Sequence, residues 1–394
     1  MQPDALYRSP NALAPRYSAF RVAERLLLTG HSHQAWPDCS REGQLQAWQD
    51  AAELVDDKWE RAFAMAERVR RGYAALLEDP DGEYALAQGT HDLLIRFLSI
   101  LPLRTRPRLV TTDGEFHAIR RQLDRLGEEG IAISKVAAAP AGTVAERLAA
   151  AVDDRTAAVL VSAVFFHNAH IVTDLGVLAA ACARHGAELL VDAYHAVNVI
   201  PFSIVKEGLG GAFVTGGGYK YCQLGEGNAF LRLPPGREFR PVVTGWFSEF
   251  SALTDGRRDG VPYGAGPDRF AGSTYDPTSQ YRAASVFDFF RREGLTPALL
   301  RAVSQHQVGR LCERFDALDL DPAVVSRDRD VPLEQLAGFL ALRAPRAGEL
   351  SRALHARGVF TDVRGDVLRL GPAPYLSDAQ LDAAMALVGE VARP

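Results

Sequence analysis

The sequence predicts an α/β protein, with a large domain built on a mainly parallel sheet and a smaller α+β domain at the C-terminal end. Two observations carry this prediction. From about residue 80, short β-rich runs alternate with helical patterns: "RLVTTD" then "FHAIRRQLDRLGEEG", "AAVLVSAV" then "DLGVLAAACARHG", then "AELLVDA" and "GAFVTGGG". Strands separated by helices of this length need crossover connections, which is the signature of a parallel sheet covered on both faces. Beyond Pro277, "VFDFFRREG", "LLRAVSQHQVGRLCERFDAL", "LAGFLALRAP", "ELSRALHARGVF" and "DVLRLGPAPYLSDAQLDAAMALV" mix strands with amphipathic helices in the α+β manner. The expected division is an arm and helix over 1–79, a large domain over 80–275 and a small domain over 276–394.

Ahead of the sheet, Trp48, Ala52, Val55, Trp59, Phe63 and Val69 recur at roughly helical spacing. One long helix over 46–77 is expected, ended by the turn residues of "EDPDG". "EYALAQGTHDLLIRFLSILP" then reads as a strand, a Gly-Thr turn and a helix from Thr90, and "GRRDGVPYGAGPD" reads as a loop.

Composition narrows the function classes. A 394-residue chain, 47% apolar and 24% charged, can bury a large core. Its net charge of −5 is spread without basic clusters, so neither nucleic acid nor an anionic membrane is an expected partner, and a small molecule is. Cys39, Cys182, Cys222 and Cys312 form no C-x-x-C pair, which argues against disulfides and structural zinc and favours a reducing cytoplasm. The first residues lack a basic region followed by an apolar core, and no apolar run reaches the about 18 residues of a membrane span. No metal site is expected.

Ligands of open parallel sheets sit at the carboxyl ends of the strands. Asp192, at the end of "LLVD", is such a position, as are Ser162 and Thr112. A helix cap or a loop ion pair would account for a lone Asp there equally well. Lys220, in "FVTGGGYKYCQLGEGNAF", follows 28 residues later. The glycines around it match neither a Walker A motif nor a G-x-G-x-x-G dinucleotide fingerprint. One chemistry needs both residues. A lysine amine forms a Schiff base with the aldehyde of pyridoxal 5'-phosphate (PLP), and a carboxylate keeps the cofactor's pyridine ring protonated as an electron sink. The other parts that PLP requires can be found. Gly89 and Thr90 open a helix whose free N–H groups and hydroxyl could hold a phosphate, although an ordinary N-cap predicts the same residues. Phe116, just past a strand end, could cover the ring or simply pack in the core.

These segments resemble a family in order along most of the chain: the fold-type I PLP enzymes, class V aminotransferase group, and within it the kynureninases. "LLLTGHSHQAWP" is similar to L-x-G-N-S-x-G-x-x-P, "DAYHAVNVIPF" to D-x-A-H-A-x-G-N, and "GYKYCQLGEGNAFL" to S-Y-K-Y-L-N-x-G-x-G. "TGWF" is similar to G-W-F, and "GVFTDVRGDVLRLGPAPYLS" to G-x-x-x-D-x-R-x-x-x-x-R-x-x-P-x-P-L-Y. The resemblance implies Lys220 as the Schiff-base lysine and proton carrier, Asp192 as the ring partner and His195 as a further cofactor contact. It assigns Tyr219, Trp246, Ser273 and Thr274 to the phosphate, the last two across the interface of a homodimer. Arg369 would take the substrate α-carboxylate through its bidentate fork, with Arg364 structural. The implied reaction is hydrolysis of the β–γ carbon bond of L-kynurenine or a related amino acid, giving alanine and an aryl acid in tryptophan catabolism.

The sequence departs from the family where the substrate is held. G-N-S-x-G is Gly30-His31-Ser32-His33-Gln34 here, and Val55-Asp56-Asp57 stand where a Gly-His pair precedes the helix tryptophan. His31, Ser32 and His33 are therefore candidates for contacts with a different substrate. An aminotransferase of the same group is the alternative. A cysteine desulfurase or selenocysteine lyase needs a mobile nucleophilic thiol after the lysine, where Cys222 adjoins the lysine segment and Cys312 reads as helix interior.

Overall fold

The structure is a computed structural model that describes residues 1–255 and 260–393; the first part of the "GRRDGVPYGAGPD" segment, 256–259, lies outside the described residues. Seven strands form the main sheet in the spatial order Glu83–Ala87, Ala229–Leu233, Phe213–Gly217, Glu188–Asp192, Thr156–Ser162, Arg108–Thr112 and Ala132–Val136. Only Ala229–Leu233 runs against its neighbours. Both faces are covered. Val159, Val161, Leu189, Val191 and Val214 enter one core, while Ala158, Leu160, Leu190 and Phe213 enter the other. That is the two-residue period of a strand, and it explains why these runs are apolar throughout.

Two strands were not legible as such. Ala132–Val136 is a half-exposed edge, so "AISKV" carries polar residues that a central strand would not. Ala229–Leu233 contains Arg232, a charge inside a sheet that its partners satisfy. Its guanidinium donates to Asp79 at 2.9 Å and to the carbonyls of Gly210 and Ala212 at 2.8 and 3.0 Å. A buried charge with that many acceptors is satisfied.

The single long N-terminal helix is corrected. Two helices, Cys39–Leu54 and Lys58–Leu76, meet at a short turn where Val55 takes a left-handed φ of 51°. The apolar spacing misled because Trp48 and Val55 face solvent, 70% and 64% exposed. The inward face of the first helix consists of Ser40, Gly43, Ala47 and Asp50 instead. These small residues let the helix lie against Thr278–Glu293, where a Cβ on Gly43 would come within 2.7 Å of the Tyr281 carbonyl oxygen. Asp50 is paid in hydrogen bonds from Tyr281 at 2.8 Å, Arg61 at 2.7 Å and Gln46 at 2.7 Å.

Toward the C-terminus, Asp362–Arg364, Val367–Leu370, Leu340–Arg343 and Ser326–Arg327 form an antiparallel sheet. Helices Pro297–Ala317, Ala347–Ala356 and Asp378–Ala392 accompany it. The two ends of the chain are joined here. Leu26–Leu27 pairs in parallel with Val359–Phe360, and the Gly30 amide donates to the Gly371 carbonyl at 2.7 Å. Among the described residues no helix is long and apolar enough to cross a membrane.

This junction tolerates no side chain at position 30, because a Cβ there would collide with the Pro372 carbonyl. Gly30→Ala is expected to destabilise the protein by about 1–3 kcal/mol, the range for overpacking, read as a lower urea midpoint with an unchanged slope.

Candidate active site

The carboxyl ends of three neighbouring strands set the floor of the site. Asp192 ends its strand in register with Ser162 on one side and Thr215 on the other. The chain from Thr215 continues into Lys220 through Gly216 and Gly217, which belong to the strand itself. They are glycines for want of room: a Cβ on Gly216 would lie 2.8 Å from the Phe230 ring, and one on Gly217 would strike the Tyr194 hydroxyl. The segment is a rigid mount for the lysine, not a phosphate-wrapping loop.

Lys220 is buried, and its Nζ lies 2.6 Å from His195 Nε2. The amine also faces the rings of Tyr194 at 5.0 Å, Phe116 at 5.5 Å and Tyr219 at 5.8 Å. Burial drives the amine well below its ordinary 10.5; Asp192 pulls it back up, and Arg369 and Arg364 add to the fall. His195 is held neutral by burial and by the charge of Lys220, and its Nδ1 has no partner.

Asp192 is also buried, and burial raises its carboxyl above 3.8 against the Tyr194 amide, which donates at 2.9 Å, and the charge of Lys220. Among the described residues no cation reaches Asp192 within ion-pair distance. A buried carboxylate without a protein cation suits a cationic ring nitrogen, and an aromatic ring above the lysine suits a flat cofactor. Thr90 opens helix Thr90–Ile100 behind Gly89, and its hydroxyl oxygen is without a partner, as a phosphate donor would be. These residues fit PLP.

A second group of charges closes the other side. Arg369, in strand Val367–Leu370, donates to Asp362 and to the Phe166 carbonyl at 2.6 Å. Arg364 donates to the other oxygen of Asp362 at 2.7 Å, the structural role expected of it. Burial alone would raise the Asp362 carboxyl, yet His31, Arg369 and Arg364 hold it below 3.8. His31 is fully enclosed against the Phe339 ring, 4.6 Å between centroids, and Phe339 also packs on His195 and Arg369. His33 is exposed and stacks on Tyr219 at 4.8 Å, accepting or donating at 3.1 Å with Ser32.

Lys220, Asp192, His195, Phe116, Tyr219, Arg369, His31, Ser32 and His33 are thus brought into one neighbourhood. Ser273 and Thr274 line a depression of about 550 Å³ with Gln88, Asp92 and Arg96, the first two flanking Gly89 and Thr90, and Trp246, 44% exposed, packs on Phe247 and Phe250, which line the same depression.

Sequence reasoning missed three residues. Glu115 is buried, and it accepts hydrogen bonds from Thr112 and Ser162, both at 2.6 Å. Its carboxyl is pushed up to about 7 by burial, with the charge of Asp192 adding to the rise. Two hydroxyls singled out at strand ends therefore serve a carboxyl that sits between them and the cofactor floor. A Glu three residues after a strand-end Thr was the available signal. Asp362 and Phe339 come from a distant part of the chain, and only the fold brings them in.

The fold is that of the fold-type I PLP enzymes. A mutant of the cystine C–S lyase C-DES, with glycine covalently linked to its PLP cofactor, superposes with a TM-score of 0.81 at 15% identity, covering 95% of this chain and 98% of that one. The apo cysteine desulfurase of Thermococcus onnurineus NA1 gives 0.77 at 16% identity, covering 93% and 94%. Residues 300–388 match the family described as the kynureninase C-terminal domain. An uncharacterized aminotransferase of Bacillus subtilis (strain 168), YcbU, is 23% identical over 86% of this chain and 88% of its own length. The likeness to the kynureninase family thus lies in the C-terminal part of the chain, and the likeness to an aminotransferase runs along most of its length.

Two outcomes are expected. Because the amine of Lys220 titrates well below 10.5, capture of added PLP by the apoprotein should rise with pH through a midpoint far below that of free lysine, read by stopped-flow absorbance. Glu115 binds its proton more tightly when folded, so its contribution to stability is full below 4.5 and lost as pH rises through about 7. Wild type should lose stability over that window relative to Glu115→Gln, while Glu115→Ala, which leaves two buried hydroxyls unpaired, should cost about 1–3 kcal/mol below it and less above it.

Proposed function

We propose that the protein is a PLP-dependent hydrolytic lyase of the kynureninase type, cleaving the β–γ carbon bond of L-kynurenine or a related amino acid to alanine and an aryl acid. The observation that carries the reading is a buried Asp192 with no protein cation beside a buried amine at Lys220, joined to the kynureninase C-terminal match that contains Arg369. Bound PLP supplies an electron sink for negative charge at the substrate α-carbon.

The roles of the chain's own groups follow from their positions. Asp192 would hold the ring nitrogen in its protonated form, Phe116 would cover the ring, and Gly89, Thr90 and Tyr219 would take the phosphate. Lys220 would hold the cofactor through its amine and, once released, carry a proton to and from the substrate α-carbon. His195, bonded to Nζ at 2.6 Å, would keep that amine aimed, while burial favours its unprotonated form. Arg369 would bind the α-carboxylate; His31, Ser32 and His33 would face the remainder of the substrate. Trp246, Ser273 and Thr274 would serve the phosphate, the last two across the interface of a homodimer in which each subunit completes its partner's site.

A class V aminotransferase is the second reading, supported by the likeness to a Bacillus subtilis protein of that name. The desulfurase reading fares worse. Burial raises all four thiols, Cys39 to about 11 and Cys182 to about 12, and Cys222 and Cys312 are also buried, so none is a ready thiolate.

The purified protein is expected to show a PLP absorbance band that borohydride traps and that Lys220→Ala lacks. Incubation with L-kynurenine and 3-hydroxykynurenine should release alanine and a fluorescent aryl acid, with turnover lowered at least about a hundredfold in Lys220→Ala. A band without turnover, but with keto acid formed from other amino acids, would favour the aminotransferase.

A further inference from the structure

The residue assigned to the substrate α-carboxylate is already holding one. One arm of the Arg369 guanidinium donates to Asp362, the other donates to the Phe166 carbonyl at 2.6 Å, and Nε has no partner. On the far side of Asp362 lies His31. It is wholly enclosed, neither ring nitrogen makes a hydrogen bond, and Nε2 stands 3.6 Å from Asp362 Oδ2. A movement of under about 1 Å would bring this pair to bonding distance. A sealed imidazole with both nitrogens unsatisfied is costly and needs a reason.

We propose that Asp362 is a displaceable occupant of the carboxylate site: an incoming α-carboxylate takes Arg369, Asp362 turns its bond to His31, and His31 accepts a proton from solvent. The inference rests on the reading of Arg369 as the carboxylate residue. No covalent bond is made or broken; one proton moves from solvent to the imidazole, and the carboxylate released from Arg369 becomes its acceptor.

The electrostatics favour this exchange. The groups that face His31 are Asp362, Arg369 and Lys220, with neutral His195 beyond them and Arg364 on the other oxygen of Asp362. In the free protein burial first, then the charges of Arg369 and Lys220, hold His31 near 3, so it is neutral at physiological pH. A bound carboxylate cancels the charge of Arg369 and, by repulsion, drives Asp362 toward the imidazole. Both changes favour the imidazolium. The proton then enters only with a ligand that carries a carboxylate, so the site distinguishes amino acids from plain amines by charge state as well as by contact. The substitution of His for the family's Asn at position 31 is what makes the exchange available to this chain.

The test uses the PLP-loaded protein, with L-alanine and with ethylamine, which is alanine without its carboxylate. Calorimetric titrations near neutral pH, in buffers of different ionisation enthalpy, count the protons taken up. The expected result is an excess approaching one proton per site for L-alanine over ethylamine, and an affinity advantage of L-alanine that weakens up to tenfold per pH unit above the bound-state pKa. His31→Asn should abolish both the excess and the pH dependence. No excess in wild type, with Arg369→Gln still removing the advantage of L-alanine, would overturn the exchange while leaving the carboxylate reading intact. An advantage that survives Arg369→Gln would overturn both. The wild-type comparison needs no variant to fold.

Discussion

A lysine amine sealed inside a protein must shed its proton or meet an anion, and Lys220 is sealed by His195, Tyr194 and Phe116 at the end of the sheet. Much of the architecture is arranged around keeping it there. The glycines before it leave the strand no slack, because Phe230 and Tyr194 occupy the space that side chains would fill. His195 and Tyr194 are themselves fixed by the turn that follows Asp192, whose carboxyl caps the Tyr194 amide. The amine and the carboxylate are thus presented by adjacent strands at a separation set by backbone registry, which is the most precise ruler a protein has.

Three carboxyl groups lie in this region, and each is treated differently. Among the described residues no cation reaches ion-pair distance of Asp192, on which only the charge of Lys220 acts; Glu115 is given two hydroxyl donors and an elevated affinity for its proton, and Asp362 is crowded by two guanidinium groups. Their environments push their ionisation apart, so one region can contain an anion, a neutral acid and a strongly paired carboxylate at the same pH.

The parallel sheet was legible because strands covered on both faces must be apolar throughout, and the ends of those strands were legible as the place for Asp192 and Lys220. The resemblance supplied His195, Tyr219 and Arg369, which the residues alone did not single out. What escaped reading had physical causes. Ala132–Val136 is an edge with mixed polarity, and Arg232 hides a central strand because its charge is satisfied by loop carbonyls remote in sequence. The break at Val55 was invisible because helical spacing was judged from large residues, when small ones make the contact. Glu115, Asp362 and Phe339 gain their meaning from partners between 3 and more than 300 positions away, and only the nearest of these could be seen in the string of letters.

The pairing of Leu26–Leu27 with Val359–Phe360 has a bearing on how the molecule is made. During synthesis the sheet that carries Asp192 and Lys220 is complete once residue 233 has emerged, whereas the wall containing His31 waits, unpartnered, for the last part of the chain. A nascent chain can therefore complete the sheet before it can enclose His31, because that enclosure closes a loop of more than 300 residues between Leu26 and Val359.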